Sequence, residues 1–175
     1  MGNQQGKFGE TDLAWLAGFI DGEGSFGFQQ LVASRSNRPH KRPYFTPRIT
    51  VGNTDRPTLA YVLDVLEAYH LPHLVWDRQR RGINLNGHAK ADFWQIRAEG
   101  LKRCARWLPL LLPYLRTKRD QAKVMFEFCE FRLAMPGHDK PYTDRELEIL
   151  DMFRNRRFEA STDYTVGRAT QARMV

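Results

Sequence analysis

The chain has 175 residues, 42% of them hydrophobic and 27% charged, a composition typical of one globular domain that buries a core. The 27 lysines and arginines exceed the 20 acids, and the formal net charge of +7 favours an acidic partner. No stretch approaches the roughly 20 apolar residues of a membrane span, and the first ten residues are too polar for a signal peptide. We therefore expect an intracellular protein, in the cytoplasm, the nucleoid or an organelle matrix, that is neither secreted nor bound to a membrane.

The positive charge is concentrated in the middle of the chain. Residues 24–119 include 17 basic and 6 acidic residues, a local net charge of +11, whereas the remainder carries −4. Arginines outnumber lysines 20 to 7, and the planar arginine fork suits phosphates and guanine edges. This distribution favours a nucleic-acid partner over a basic surface that serves only solubility, because such a surface would spread its charge along the chain.

The first predicted elements are a helix and a hairpin. Residues 12–21 leave no polar side, which predicts a buried helix capped by Thr11 or Asp12. Strand-favouring residues at 26–33 and 44–51 flank a polar, basic connection and predict a long hairpin.

The rest of the chain predicts a helix, a second hairpin and three further helices. Helical spacing of apolar residues predicts a helix over 56–69, and alternation predicts strands at 73–79 and 92–97. The last three helices are expected over 101–115 with breaks at Pro109 and Pro113, over 118–133, and over 143–158 with Thr143 and Glu146 as a capping pair.

These elements predict a single α+β domain over residues 12–159, between an N-terminal arm at 1–11 and a flexible tail at 160–175. Two antiparallel hairpins most simply form one four-stranded sheet, with helices on one face and the other face free. Alternate strand residues then project from the free face, and a two-stranded ribbon fits the DNA major groove.

Three features of the sequence indicate structural roles. Residues 22–27 match the GxGxxG pattern, but a helix precedes them and a strand follows, the reverse of what dinucleotide binding requires. Cys104 and Cys129 lie in apolar surroundings and are expected to be buried, reduced thiols. Trp76 and Trp94 are expected in the core, because duplex DNA offers no unstacked base to an aromatic ring.

Small residues form a stripe along the first helix. Ala14, Gly18 and Gly22 recur at every fourth position, which lets another helix approach closely, and a second copy of the chain is the natural partner. Such a dimer brings together two Glu23 carboxylates, which repel unless a cation lies between them. A carboxylate pair beside a basic groove is a natural Mg²⁺ site for phosphodiester cleavage. The alternative is that Asp21 and Glu23 only cap the turn and Gly18 packs inside one subunit.

Residues 16–24, LAGFIDGEG, resemble the nonapeptide of the LAGLIDADG homing endonucleases, with Phe for Leu, Gly for Ala and Glu for Asp. The likeness extends over the predicted hairpins and helices to about residue 133. One copy of the motif is similar to the homodimeric branch of the family. The resemblance implies an αββαββα fold with an antiparallel DNA-binding sheet, and a two-fold dimer through the motif helix. The interface residues would be Ala14, Ala17, Gly18, Asp21 and Gly22.

The resemblance also implies the catalytic residues. Glu23 would bind Mg²⁺, assisted by the carbonyl of Gly22. Lys118, with Arg116 beside it, would polarise the water network or offset charge on the phosphate. A polar residue at the end of the second strand is expected to complete the set. Gly52 or Asn53 lies there, and Asn53 is the candidate with a side chain.

The side chains expected to contact DNA are chosen by their position on the two hairpins. The first hairpin supplies Gln29, Gln30, Arg35, Arg38, His40, Lys41, Arg42 and Arg48. The second supplies Arg78, Arg80, Arg81, Asn84 and Asn86, and Arg116 and Lys118 join them near the active site. Some of these residues would contact bases and others only phosphates.

The resemblance implies a sequence-specific, Mg²⁺-dependent DNA endonuclease. It would act as a homodimer on a long, nearly palindromic duplex and leave short 3′ overhangs. Two alternatives stay open: an intron RNA maturase, and a DNA-binding regulator that has lost cleavage. The presence of both Glu23 and Lys118 argues against a loss of catalysis.

Overall fold

The computed structural model describes residues 8–31, 44–78, 92–135, 140–155 and residue 158. The described helices are α1 (Glu10–Glu23), α2 (Arg56–Ala68), α3 (Leu101–Leu111), α4 (Arg119–Ala134) and α5 (Asp144–Asn155). The described strands are β1 (Gly24–Leu31), β2 (Tyr44–Asn53), β3 (Leu74–Arg78) and β4 (Phe93–Glu99). The chain order is αββαββα followed by two more helices, so the predicted α+β class and order of elements are confirmed.

The four strands form one antiparallel sheet in the order β1-β2-β4-β3. Alternation along each strand separates two faces. One face packs against the helices through buried apolar side chains, including Ile49 and Val51 of β2 and Ile96 of β4. The opposite face, which we call the open face, carries Arg48 and Thr50 of β2 and their partners on β1 and β4.

The core lies between the sheet and the helices. Leu16, Ala17 and Ile20 of α1 are fully buried there, together with Trp107 of α3 and Met125 of α4. Burial of this apolar surface is the main force that holds α1 against the sheet. Only this side of α1 is buried in the described chain, and the side that carries Ala14, Gly18 and Gly22 is exposed.

Cys104 and Cys129 are both buried and unbonded, as predicted. Burial raises the pKa of Cys104 to about 12 and also raises the pKa of Cys129, because an apolar environment disfavours the thiolate. The two thiols are therefore unreactive packing groups.

Helix α1 begins two residues earlier than predicted. Gly9 is the N-cap, and Asp12 acts from inside the first turn: its Oδ2 accepts a hydrogen bond from the Gly9 N–H at 2.7 Å. The hydroxyl of Tyr61 donates to the other carboxylate oxygen of Asp12. The predicted caps Thr11 and Asp12 are thus helical residues, because a carboxylate at the third position can close the helix start as well as one at the cap.

The predicted cap of α5 is confirmed, whereas the predicted break of α3 at Pro109 is wrong. Thr143 caps α5 as predicted: its N–H donates to Glu146 Oε2 at 2.7 Å and its Oγ1 accepts from the Glu146 N–H at 3.3 Å. Pro109 does not break α3, which continues to Leu111. The burial of Trp107 and Leu111 on one side of α3 offsets the backbone hydrogen bond that proline removes. Among the described helices, none is both long and apolar enough to cross a membrane.

Candidate active site and open sheet face

The side chain of Asp21 joins the last turn of α1 to the segment before α4. Its Oδ2 accepts hydrogen bonds from the N–H groups of Arg116 at 2.6 Å and Thr117 at 3.2 Å. Its Oδ1 accepts from the N–H of Lys118 at 3.0 Å. A carboxylate that accepts three backbone N–H groups holds both segments in one arrangement. Asp21 therefore sets the position of Lys118 relative to α1.

The ammonium group of Lys118 points back to the C-terminal end of α1. Its Nζ donates to the carbonyl of Ile20 at 2.9 Å and also to the carbonyl of Asp21. The Ile20 carbonyl also accepts the N–H of Gly24, and carbonyls at a helix C-terminus carry partial negative charge, which attracts a cation. Burial lowers the pKa of Lys118 below its usual value, while the negative charges of Asp21 and Glu23 act in the opposite direction.

Glu23 is the last residue of α1, and its side chain is exposed. The next residue, Gly24, pairs with Val51, so Glu23 lies where α1 joins the sheet. Carboxylate and carbonyl oxygens are the ligands that Mg²⁺ and Ca²⁺ prefer, and a helix C-terminus favours a cation. The Glu23 carboxylate and the Gly22 carbonyl therefore fit a divalent metal chemically. Within the described ranges, no group of three or more His, Cys, Asp or Glu side chains is placed to hold a metal ion.

Arg48 connects three strands on the open face. Its Nη2 lies 3.0 Å from Glu99 Oε2, and Nη2 also donates to Oε1 of Gln29. The register explains both contacts: Arg48 is paired with Gly27 on one side and Glu99 on the other, and Gln29 lies two residues from Gly27 on the same face. The network places a cation and an amide side by side on this surface.

A second cluster on the open face was not predicted from the sequence. The guanidinium of Arg97 lies 4.2 Å from the ring centroid of Trp76, and its Nε donates to Gln95 Oε1 at 2.8 Å. Trp76 is 55% exposed, so the prediction that it lies in the core is wrong, whereas Trp94 packs against the core as predicted. The sequence contained one indication of this cluster: Gln95 and Arg97 flank the apolar Ile96 in β4, so both point to the face opposite the core.

The most informative comparisons are with solved structures. A complex of the homing endonuclease I-CvuI with its target in the presence of 2 mM Ca is 20% identical, with a TM-score of 0.52 over 82% of this chain and 95% of that one. The homing endonuclease I-TnaI is 16% identical, with a TM-score of 0.55 over 84% of this chain and 88% of that one. This chain has the fold of the LAGLIDADG homing endonucleases.

A double mutant of I-SmaMI is similar as well, at 17% identity and a TM-score of 0.55 over 87% of this chain and 46% of that one. The chain thus spans about half the length of I-SmaMI and nearly all of I-CvuI. The sequence matches no protein-family model and no curated protein. The likeness to LAGLIDADG enzymes is therefore one of three-dimensional structure, together with the motif at residues 16–24.

In this LAGLIDADG fold, three of the five residues predicted at the dimer interface lie on the exposed side of α1. Ala14, Gly18 and Gly22 are exposed, and a Cβ added at either glycine would meet no atom within 4 Å. Ala17 is instead fully buried in the core of its own subunit, because it lies about 60° around the helix axis from Ala14, on the side of the buried Leu16 and Ile20. The Asp21 carboxylate accepts the three N–H groups of residues 116–118, which gives it a role within the subunit.

Gly52 and Asn53, the two candidates for the third polar catalytic residue, both make local contacts at the end of β2. The Asn53 side chain accepts hydrogen bonds from the N–H groups of Thr54 at 2.7 Å and Asp55 at 3.0 Å, and so stabilises the turn into α2. Gly52 lies under the ring of Phe93: an added Cβ would stand 2.5 Å from Phe93 Cζ and 2.9 Å from the carbonyl oxygen of Trp94. These contacts assign a structural role to both candidates.

The described part of the chain shows on which sheet face or helix end several of the predicted DNA-contacting residues lie. Gln29 and Arg48 lie on the open face, and Arg116 and Lys118 lie beside the end of α1. Gln30 pairs with Phe45, which puts it on the helix side, since adjacent strand residues point to opposite faces. Arg78 is the last residue of β3. The other predicted contacts lie outside the described residues, namely Arg35, Arg38, His40, Lys41, Arg42, Arg80, Arg81, Asn84 and Asn86.

Proposed function

We propose that this protein is a site-specific, Mg²⁺-dependent DNA endonuclease that acts as a homodimer. It would hydrolyse one phosphodiester in each strand of a long, nearly palindromic duplex and leave short 3′ overhangs. The observation that carries the proposal is the position of Lys118, whose ammonium group is held against the carbonyls of Ile20 and Asp21. This contact puts a cation next to the exposed carboxylate of Glu23, at the end of an open, basic sheet.

The open face supports duplex DNA as the substrate. Arg48 and Arg97 are each held by a hydrogen bond to a glutamine on the same face, Gln29 and Gln95 respectively. Arginines and amides positioned in this way match the guanine and adenine edges in the major groove. The local surplus of arginine in residues 24–119 supplies phosphate contacts. I-CvuI, which has the same fold, was crystallised with a DNA target, and we extend that substrate class to this chain.

The residues of this chain have distinct roles in the proposed reaction. Lys118 would lower the negative charge that develops on the scissile phosphate or orient the attacking water through its N–H groups. Asp21 would hold Lys118 in place and would not contact the phosphate. Glu23, with the Gly22 carbonyl, would bind the cation. A bound Mg²⁺ would lower the pKa of the attacking water and stabilise the negative charge on the leaving oxygen.

The proposed dimer forms through the exposed side of α1. Ala14, Gly18 and Gly22 form a strip without large side chains, and Trp15, which lies beside it, is 38% exposed. A two-fold axis along this strip would bring the Glu23 residues of two chains close together. The cation would then be shared between two carboxylates that otherwise repel each other.

The test of catalysis is cleavage of a randomised duplex library by the wild type and by Glu23→Gln. We expect paired cuts with 3′ overhangs at one pseudo-palindromic site with Mg²⁺, and no cuts with EDTA or with the variant. Glu10→Gln is the matched control, because Glu10 is also an acid on α1 but lies at the other end. Specific binding without cleavage would indicate a regulator instead, and preference for structured RNA over duplex would indicate a maturase.

The test of the dimer is sedimentation of the wild type and of Gly18→Leu. A Cβ added at position 18 would meet no atom within 4 Å apart from the backbone of its own helix, so we expect the variant to fold. We expect it to sediment as a monomer and to lose double-strand cleavage. A variant that remains dimeric would exclude this strip from the interface.

A further inference from the structure

Gln29, Arg48 and Glu99 form a hydrogen-bonded row across the open face, which we call the Arg48 row. They lie on β1, β2 and β4, which are adjacent in the sheet in that order. Nη2 of Arg48 donates to Gln29 Oε1 on one side and lies 3.0 Å from Glu99 Oε2 on the other. A carboxylate repels phosphates, so Glu99 is unsuited to holding a DNA backbone and suited to contacting a base edge.

The contacts within the Arg48 row leave a fixed set of polar atoms for a ligand. The two N–H groups of Arg48 Nη2 are used by Gln29 and Glu99, and Nε is buried. The N–H groups of Nη1 therefore remain. Among the described residues, the Gln29 amide nitrogen and Glu99 Oε1 have no hydrogen-bond partner either. From β1 to β4 the available groups are thus a donor, a donor and an acceptor.

The Arg48 row is accessible from the open face. The side chains of Arg48 and Glu99 are 25% and 30% exposed, and Gln29 is exposed as well. Gly27, which pairs with Arg48 on β1, carries no side chain, and a Cβ added there would meet no atom within 4 Å. A flat base edge can therefore approach the row beside Arg48.

The order donor, donor, acceptor is complementary to one base pair. In the major groove a G·C pair presents guanine N7 and O6 as acceptors, followed by the N4 amino donor of cytosine. In an A·T pair the adenine amino group would face Nη1 of Arg48, and thymine O4 would face the Glu99 carboxylate, so both contacts would be repulsive. Neighbouring strands are about 4.8 Å apart, so three strands span roughly 10 Å, within the groove width of about 12 Å.

We propose that the Arg48 row recognises a G·C pair in the major groove of the target, with Glu99 as the residue that determines this specificity. Gln29 and Arg48 would donate to guanine N7 and O6, and Glu99 would accept from cytosine N4. The inference rests on the proposed function, because it names a base pair that the endonuclease reads. A homodimer carries the row twice, so the G·C pair should occur at two positions related by the two-fold axis.

The test is a binding profile of the duplex that the wild type selects from the randomised library. Each base pair of both half-sites is changed in turn, and Kd is measured in Ca²⁺, the ion present in the I-CvuI complex. At one position of each half-site, replacing G·C by A·T should weaken wild-type binding by about 10- to 100-fold. Glu99→Gln should reduce this factor to about threefold or less, because its amide turns a donor toward cytosine N4. Arg48→Met should lose the preference at the same position.

Glu127→Gln and Arg145→Met are the matched controls. Glu127 and Arg145 also form an ion pair, with Nε 2.8 Å from Oε1, but this pair joins α4 to α5 and lies off the sheet. Both controls should keep the wild-type preference at every position. Thermal unfolding identifies the folded variants, and either Glu99→Gln or Arg48→Met alone is sufficient for the comparison.

The possible results separate this inference from the proposed function. If the Arg48 row contacts only phosphates, Arg48→Met should weaken binding of all sequences equally and reduce the slope of log K against log salt by about 1. That result, or an unchanged base preference in Glu99→Gln, would overturn the inference and leave the endonuclease proposal intact. A wild type that binds no duplex specifically would contradict the proposed function itself, and this inference with it.

Discussion

The Nζ atom of Lys118 lies 2.9 Å from the carbonyl oxygen of Ile20, across 98 positions of sequence. The contact closes the end of α1 with the residue that caps α4, and it is supported by the three hydrogen bonds to Asp21. Glu23 lies three residues after Ile20. The core of the candidate active site is thus a junction of two helix ends, and each of its parts can be tested separately.

The lowered pKa of Lys118 predicts a pH-dependent contribution to stability. Because the folded state loses this proton more readily than the unfolded state, the unfolded state binds more protons just below the lysine's usual pKa of about 10.4. The free energy of unfolding of the wild type should therefore rise with pH in this range relative to Lys118→Met. Urea unfolding between pH 7 and 10 measures the difference. Parallel curves for the wild type and Lys118→Met would contradict the prediction.

Removal of the Asp21 carboxylate should affect both stability and cleavage. Asp21→Ala leaves the N–H groups of residues 116–118 without their acceptor, and we expect a loss of about 1–3 kcal/mol. Cleavage should fall further than stability explains, because Lys118 loses its anchor. Asp120→Ala is the control: its pair with Lys123 at 3.5 Å is partly exposed and should contribute less than about 1 kcal/mol. Equal losses in the two variants would argue against the proposed positioning role.

Gly52 is predicted to tolerate no side chain. In Gly52→Ala the new Cβ would lie 2.5 Å from Phe93 Cζ and 2.9 Å from the Trp94 carbonyl oxygen, which should cost about 1–3 kcal/mol. Phe93→Leu should recover part of this loss in the double variant, since the ring contact is relieved and the backbone contact is not. Denaturant unfolding of the four proteins in the cycle measures the coupling. If the loss of stability in the double variant equals the sum of the losses in the two single variants, the ring does not occupy this space.

Trp76 and Val75 allow a matched test of the open face. Both side chains are 55% exposed, but alternation places Trp76 with Arg97 on the open face and Val75 on the helix side. Trp76→Ala should change the free energy of unfolding by less than about 1 kcal/mol. It should weaken binding of the duplex that the wild type cleaves, because Arg97 loses the ring that orients it. Val75→Ala should leave duplex binding unchanged. Titration of labelled duplex at fixed salt compares the two, and equal affinities would exclude the cluster from DNA contact.

Local patterns in the sequence were sufficient for several features of this protein. Apolar periodicity and turn residues predicted the order of helices and hairpins and the cap at Thr143, because these depend on neighbours a few residues apart. The motif at residues 16–24 predicted the fold, which the solved structures confirm. Glu23 and Lys118 could be named as partners only through that resemblance, since no local pattern joins residues so far apart.

The tertiary structure decided what each residue does within these elements. Ala14 and Ala17 are alike in sequence, but the rotation of α1 against the sheet leaves one exposed and buries the other. Strand register places Gln30 on the helix side and Trp76 on the open face, because a shift of one residue exchanges the two faces of a sheet. Asp21, which the resemblance named as an interface residue, accepts the N–H of Lys118 within its own subunit. Local physical chemistry thus determined the elements, and the way they pack against one another determined which side chains face the core, the open face and the active site.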